Sequence, residues 1–164
     1  MQIDDVLDSN GSQYRLEYHD ADSFDDLPTE LCTQSYGLCF VKDKLVIGFG
    51  GNKHAWGLIG GTIEKGETFR QAFDREIVEE SNMKVLDAKP VGYQKVTDPS
   101  DKTIYQLRYW ARVEPIGEFL HDPGGGITEI KLIDPKDYKD YFDWGRIGEH
   151  LIHRAIEINS QSKE

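Results

Sequence analysis

Hydrophobic residues recur at helical spacing in two stretches of the chain. In residues 68–81, Phe69, Phe73 and Ile77 fall at about 0°, 40° and 80° around a helix, which makes one stripe suited to packing on a core. Neither Gly nor Pro interrupts this stretch, and a glycine-rich turn precedes it. The same spacing recurs in residues 144–158, at Ile147, Leu151, Ala155 and Ile158. The pattern therefore predicts two helices.

Alternating hydrophobic and polar residues predict strands elsewhere. The alternation is clearest in residues 104–113, where one face carries Tyr105, Leu107, Tyr109, Ala111 and Val113 and the other carries Gln106, Arg108, Trp110 and Arg112. Strands are also predicted within residues 14–18, 33–49, 84–96 and 127–133. Strands, a helix, further strands and a last helix in this order predict an α+β fold, a sandwich with a mixed sheet between helices.

The length of 164 residues suits a single domain that covers residues 1–164. Residues 1–13 are polar and carry little pattern, so we expect a loosely held N-terminal arm there. Residues 159–164 are expected to form a frayed tail.

Three glutamates of the first predicted helix lie on or beside its apolar stripe, rather than on the opposite, solvent-facing side. Glu76, Glu79 and Glu80 fall at about 340°, 280° and 20°, so they overlap or flank the apolar stripe. A carboxylate partly withdrawn from water is costly unless a cation meets it, and Arg75 can meet only part of this charge. The simplest remaining partner is a hard divalent cation, because such ions prefer carboxylate, carbonyl and water oxygens.

The residues from Gly61 to Met83 resemble the signature of a known family. The signature that they resemble is the Nudix box of the Nudix hydrolases. The matching positions are Gly61, Glu67 after five intervening residues, Arg75-Glu76-Ile77 after seven more, and Glu79-Glu80 after one more. Asn82 stands where the family has Gly, and the position after a helix end favours a positive φ, which Asn tolerates next best. Upstream, Ile59 stands where the family often has Pro.

The resemblance implies an α/β/α Nudix-like sandwich and a role for each matching residue. Glu76, Glu79 and Glu80 look like metal-binding carboxylates for Mg²⁺ or Mn²⁺, and the backbone carbonyl of Gly60 looks like a main-chain ligand. Arg75 looks like the residue that orients the acidic side chains, and Glu67 like a support for the loop.

A loop acid often completes the metal site or acts as the base in this family. Glu118, Asp122 and Glu129 are the candidates here. We favour Glu118, because a loop position before the glycine run would let it close over a substrate. The catalytic set implied by the resemblance is therefore Glu79, Glu76, Arg75 and Glu118.

The polar face of residues 104–113 is a candidate substrate surface. Arg108 and Arg112 could hold phosphate oxygens through their forks of donors, and Trp110 could stack on a base. The alternative is that the arginines are solvated and that Trp110 caps a second core against a helix.

Composition limits the partners. The formal net charge of −11 argues against binding a nucleic-acid backbone, and it means that metal ions must supply the positive field that a polyphosphate needs. No apolar run is long enough to span a bilayer, and the acidic N-terminus has no signal-peptide pattern, so we expect a cytoplasmic protein. Cys32 and Cys39 are expected to be small buried hydrophobes. A homodimer is the default expectation for such an enzyme.

The predicted function is hydrolysis of a diphosphate bond in a nucleoside diphosphate linked to another group, with small nucleotides of the triphosphate class favoured. Two alternatives share the fold. One is a non-catalytic module that senses a nucleotide sugar, against which the intact acidic helix argues. The other is an isopentenyl diphosphate isomerase, which needs a catalytic Cys that neither Cys32 nor Cys39 convincingly supplies.

Overall fold

The computed structural model describes residues 1–120 and 122–162. The strands in this part of the chain are β1 (Gln2–Ser9), β2 (Ser12–Asp20), β3 (Cys32–Val41), β4 (Lys44–Gly50), β5 (Ala55–Gly57), β6 (Ile59–Thr62), β7 (Met83–Thr97), β8 (Thr103–Pro115) and β9 (Ile127–Ile133). The helices are α1 (Phe69–Ser81) and α2 (Gly145–Gln161), and short 3₁₀ turns span Thr29–Leu31 and Pro135–Asp140. Neither α-helix is long and apolar enough to cross a membrane.

The strands form one mixed sheet in the order β1-β2-β7-β8-β3-β4-β5, with β6 paired to β3 and β9 paired to β4. β3 and β8 run parallel, whereas the other pairs are antiparallel. Strands that are distant in sequence therefore become neighbours at the centre of the sheet. The predicted mixed sheet flanked by helices is confirmed.

The two faces of β8 enter two different cores. Leu107 and Tyr109 pack with Phe73 and Ile77 of α1 in one hydrophobic cluster. Trp110 packs in the other cluster, which contains the apolar side chains of α2. The helices therefore cover opposite faces of the sheet.

Both ends of α1 are capped by residues that the sequence supplies locally. Thr68 accepts a hydrogen bond from the Gln71 amide, and the Gln71 side chain accepts one from the Thr68 amide, which makes a reciprocal capping box. Asn82 follows the helix with φ 54° and ψ 39°, and its N–H donates to Val78 O over 2.9 Å. Asn82 thus adopts the positive φ that the sequence predicts for the position after the helix end.

The N-terminal residues do not form a loose arm. β1 pairs with β2 along its whole length, from Gln2 opposite His19 to Ser9 opposite Ser12. Asn10 and Gly11 connect the strands with φ values of 51° and 81°, as a two-residue hairpin turn requires. The Asn-Gly pair was the sequence signal for this hairpin, and the polar composition of the strands concealed it.

The predicted frayed tail is also partly wrong. α2 continues to Gln161, and Asn159 is buried. The Asn159 side chain accepts a hydrogen bond from Trp110 Nε1 over 3.2 Å and donates to Lys42 O over 3.0 Å. Residues 163–164 of the predicted tail lie outside the described residues.

Candidate active site

Gly61 lets α1 approach the sheet closely, and Gly60 lets β6 lie close to β3. A Cβ on Gly60 would collide with the backbone of Ser35 in the neighbouring strand. A Cβ on Gly61 would lie 2.5 Å from the carboxyl carbon of Glu76. Since real side chains never come so close, the absence of a side chain on Gly61 is what allows the Glu76 carboxylate to lie against β6.

Glu80 is held against the same strand by a backbone donor. The Gly60 N–H donates to Glu80 Oε1 over 2.8 Å. Burial, followed by the charges of Glu76, Asp122 and Glu79, raises the pKa of Glu80 to about 7, although the Gly60 N–H opposes this shift. These four acidic residues, Glu76, Glu79, Glu80 and Asp122, are called the acidic cluster below. Its negative charges are only partly offset.

Arg75 supplies the positive charge beside the cluster. Its Nε and Nη2 donate to the two carboxylate oxygens of Glu67 over 2.7 and 2.9 Å. Its Nη1 donates to Glu76 over 3.0 Å and to Glu79 over 3.2 Å, while Nη2 also donates to Thr62 O over 3.0 Å. The hydrogen bonds from Arg75 lower the pKa of Glu67 to about 2. Arg75 therefore ties the loop before α1 to the helix carboxylates.

The chemistry of the cluster suits a hard divalent cation, although the side chains are not assembled around one point. Glu76 and Glu79 both bond to Arg75, and Glu80 bonds to the Gly60 N–H. In residues 1–120 and 122–162, no three Asp, Glu, His or Cys side chains are arranged to hold one ion together. The oxygen donors are those that Mg²⁺ and Mn²⁺ prefer. Glu76 and Glu79 each bond to Arg75 through one oxygen, so the other oxygen of each carboxylate could bind an ion while Arg75 holds the side chain in place.

Asp122 is the loop acid that joins the cluster. It is 7% exposed, and its carboxylate accepts hydrogen bonds from the amides of Gly124, Gly126 and Ile127. A Cβ on Gly126 would lie 3.4 Å from Asp122 Oδ2 and 3.9 Å from Glu80 Oε2, so the two carboxylates flank the same glycine. The glycine-rich loop thus wraps around Asp122 beside Glu80.

The preference for Glu118 is not supported by its position. Glu118 is exposed, and its backbone carbonyl, rather than its carboxylate, accepts a hydrogen bond from Asn82 Nδ2 over 3.0 Å. Glu129 is exposed on β9 opposite Phe49. Sequence reasoning ranked the candidates by loop position, whereas the backbone path of the loop brings Asp122 inward.

A cavity of about 890 Å³ adjoins the acidic cluster. Gly60 and Glu80 line it, as do Trp56 of β5 and Trp144 beside the N-terminus of α2. Arg108 also lines it, on the face of β8 that α2 covers further along the strand. The cavity therefore connects the acidic cluster with an arginine that the sequence singled out.

Arg108 is 8% exposed. Its Nη2 donates to Gln106 Oε1 over 3.2 Å, and Nη1 donates to the neighbouring Leu107 O over 3.4 Å. Its guanidinium carbon lies 5.2 Å from the centre of the Tyr36 ring. Burial lowers the pKa of Arg108 to about 10.

The family model of the NUDIX domain matches residues 32–153. The chain belongs to the Nudix hydrolase family. Members of this family are pyrophosphohydrolases that act on small nucleotides and typically use a divalent metal. No curated protein matches the chain significantly.

Solved Nudix structures resemble this one in fold. A mutant of the Bacillus subtilis pyrophosphohydrolase BsRppH has a TM-score of 0.65 at 18% identity, over 93% of this chain and 96% of that one. A MutT Nudix hydrolase from Burkholderia pseudomallei has a TM-score of 0.57 at 15% identity, over 74% and 95%. An ADP-ribose pyrophosphatase from Streptococcus suis has a TM-score of 0.53 at 14% identity, over 80% and 92%. Likeness at this level of identity establishes the fold.

In this Nudix domain, Trp110 does not stack on a base. Its side chain is 0% exposed, it belongs to the core beneath α2, and its Nε1 bonds to Asn159. The alternative reading, that Trp110 caps a second core, is the correct one. Arg112 is half-buried between Phe40 and Asp87 of the neighbouring strands and does not line the cavity. Of Arg108, Trp110 and Arg112, Arg108 is the one that lines the cavity, and α2 covers Trp110.

Sequence reasoning missed a row of glutamines on the cavity floor of this Nudix domain. Gln34, Gln106 and Gln94 lie side by side on β3, β8 and β7. All three line the cavity. Gln34 stands far from the other two in the chain, so only the pairing of β3 with β8 brings the three together.

Proposed function

We propose that this Nudix domain is a divalent-metal-dependent pyrophosphohydrolase that cleaves the diphosphate bond of a nucleoside diphosphate linked to another group. The observation that carries this proposal is the acidic cluster beside a cavity of about 890 Å³. Burial and then the charges of neighbouring acids raise the pKa of Glu76 and of Glu80, although hydrogen bonds from Arg75 and from Gly60 oppose these shifts. The cluster therefore repels a polyphosphate unless cations bind there.

In the proposed site, Glu76, Glu79 and Glu80 hold the divalent ions, together with the backbone carbonyl of Gly60. Asp122 lies beside Glu80, and this position supports its carboxylate as the fourth in this set. When bound, Mg²⁺ or Mn²⁺ neutralises phosphate oxygens and lowers the pKa of a water molecule. The chain itself contributes the orientation of the carboxylates and the shape of the cavity.

Arg75 and Glu79 have distinct proposed roles. Arg75 acts through its neighbours, because it holds Glu67 on one side and the helix carboxylates on the other. The Glu79 side chain is 41% exposed, compared with 13% for Glu76. Since it is the more accessible of these two carboxylates, we assign to Glu79 the acceptance of the proton from the attacking water.

The positions of the cysteines argue against the isomerase alternative. Cys32 and Cys39 are buried in the cluster that packs against α1, on the face of the sheet opposite Arg108. Burial raises the pKa of the Cys32 thiol to about 11, and the same cause raises the pKa of Cys39. A reactive cysteine needs an accessible site and a lowered pKa.

The proposal is tested by measuring product release from a panel of nucleoside triphosphates, nucleotide sugars and ADP-ribose, with Mg²⁺, with Mn²⁺ and with EDTA. We expect turnover that requires the metal and a loss of about 1000-fold in kcat for Glu79→Gln. Full turnover in EDTA, or full metal-dependent turnover by Glu79→Gln, contradicts the assigned roles.

A matched pair of loop variants separates the two acids. We expect Asp122→Asn to lower the apparent affinity for the metal by about 10-fold or more, because Asp122 adjoins Glu80. Glu118→Gln removes a carboxylate from the exposed part of the same connection and serves as the control. The reverse ranking would restore Glu118 as the loop acid.

A further inference from the structure

Arg108 is a buried cation without an acidic partner among the described residues. Its two hydrogen bonds go to the amide oxygen of Gln106 and to the backbone carbonyl of Leu107. The ionisable groups that favour its charged form are Tyr36 and Tyr18, whose own pKa values burial raises. Withdrawing a charge from water without pairing it is costly. A ligand that carries a negative charge would offset this cost.

The sheet presents Arg108 toward the cavity in a defined orientation. Gln94 Nε2 donates to Gln106 Oε1 over 3.2 Å, and Gln106 Nε2 donates to Gln34 Oε1 over 2.9 Å. Gln106 Oε1 thus accepts from both Gln94 and Arg108. We call Gln34, Gln94 and Gln106 the glutamine row. Gln106 Oε1 and Leu107 O accept two of the five N–H groups that a guanidinium carries, which leaves three for a ligand.

A single tyrosine separates Arg108 from the acidic cluster. Tyr36 pairs with Arg108 on one side and with Gly60 on the other. The Gly60 N–H in turn bonds to Glu80. The cavity is therefore lined by groups of opposite charge, Glu80 and Arg108, and Arg108 can attract an anion without the help of a metal.

We propose that Arg108 and the glutamine row form a binding subsite for a phosphate group additional to the two phosphates joined by the bond that is cut. This inference rests on the proposed function, because it takes the acidic cluster as the place where the diphosphate is bound. Two classes of substrate meet the requirement. One has a contiguous chain of three or more phosphates, and the other is a dinucleotide that carries a separate phosphate on a ribose. Nucleotide sugars and ADP-ribose have no such group.

The first test measures binding without catalysis. Thermal unfolding is followed in EDTA, with and without inorganic phosphate and inorganic triphosphate, for the protein and for Arg108→Met. We expect either anion to raise the Tm of the protein by about 5 °C at concentrations near 100 times Kd. Arg108→Met should lose this shift, and without anion its Tm should equal or exceed that of the unaltered protein, because a buried unpaired charge is removed.

Arg112→Met is the matched control, since Arg112 lies on the same face of β8 outside the cavity. It should keep the anion-dependent shift. An equal shift in Arg108→Met and the unaltered protein, or no shift in either, overturns the subsite. If Arg108→Met does not fold, Arg108→Lys replaces it, and we expect that variant to keep at most half of the shift because a lysine lacks the planar fork. A full shift in Arg108→Lys then overturns the role of the fork.

The second test compares substrates in the presence of Mg²⁺. The ratio of kcat/KM for GTP to kcat/KM for ADP-ribose should fall by about 100-fold in Arg108→Met and stay within about threefold in Arg112→Met. The ratio for NADPH to NADH tests the separate ribose phosphate in the same way, and the pair that responds identifies the source of the phosphate. An unchanged ratio for both pairs, or cleavage of ADP-ribose and NADH alone, overturns the proposal. If no compound is cleaved with any metal, the proposed function fails, and the unfolding test still decides the subsite.

Discussion

Around the acidic cluster, which we call the acidic end of the site, Arg75 contacts the carboxylates of Glu67, Glu76 and Glu79, whereas at the other end, inside the cavity, Arg108 contacts an amide oxygen and a carbonyl. The first arginine is surrounded by more negative charge than it can offset, and the second has none to offset its own. The acidic end therefore keeps an excess of negative charge, and Arg108 keeps an unpaired positive charge. A ligand that combines cations at the acidic cluster with an anion at Arg108 would offset the charge at both places.

The largest expected effect comes from removing a carboxylate at the acidic end. Glu80→Gln should lower kcat/KM by about 1000-fold, or about 4 kcal/mol of transition-state stabilisation, because Glu80 is in the proposed set of ion ligands. In EDTA the same variant should unfold at an equal or higher temperature, since it removes one of several like charges. Initial rates and thermal unfolding measure the two effects. A large loss of stability in EDTA would mean that Glu80 serves the fold rather than the ions.

A smaller effect is expected when the positive charge of residue 75 is kept but the shape of its side chain is changed. Arg75→Lys retains the charge and loses the fork that bonds to Glu67 while also reaching Glu76 and Glu79. We expect kcat to fall by about 10- to 100-fold with little change in KM, because the carboxylates lose their orientation rather than the substrate its contacts. Steady-state kinetics at saturating Mg²⁺ provides the measurement. An unchanged kcat in this variant would show that Arg75 contributes only its charge.

At the other end, the position next to Arg108 on the same face should affect stability and not binding. Trp110→Phe removes the hydrogen bond to Asn159 and leaves an aromatic ring in the core. We expect the free energy of unfolding to fall by about 1 to 2 kcal/mol while KM stays within about twofold, because Trp110 lies under α2. Denaturant unfolding and kinetics on one substrate separate the outcomes. A large rise in KM with unchanged stability would return Trp110 to the substrate surface.

The smallest effect concerns the pH dependence of the Arg75 contacts. Arg75 lowers the pKa of Glu67 from an ordinary value of 4.5 to about 2. A carboxylate with a lowered folded-state pKa stabilises the fold above its unfolded-state pKa, and this contribution is lost as the pH falls toward the folded-state value. The difference in Tm between the protein and Glu67→Gln should therefore be largest above about pH 4.5 and shrink between pH 4.5 and pH 2. A difference that does not change over this range would show that the Glu67 contacts are not charge-dependent.

The acidic end could be predicted from the sequence in some detail. Glu76, Glu79 and Glu80 belong to one helix, so 3.6-residue periodicity alone brings them to one side, whereas the roles of Arg75 and Glu67 were expected from the resemblance to the Nudix box. The left-handed Asn82 was also readable, because the end of a helix imposes its own backbone requirement. The hairpin of β1 and β2 could have been predicted from Asn10-Gly11, although polar residues in its strands hid the alternation.

The sequence by itself determined the helices, the alternating faces of β8 and the carboxylates of α1, because each depends on residues within a few positions of one another. Only the tertiary structure decided that Asp122 rather than Glu118 adjoins Glu80, and that Arg108 is open to the cavity while Trp110 is covered. The glutamine row likewise exists only through the register of β3, β7 and β8. Such contacts depend on which distant strands pair and on the path of a loop. The strand pairing and the loop path are determined by the packing of the whole chain, and they cannot be predicted from a local sequence pattern.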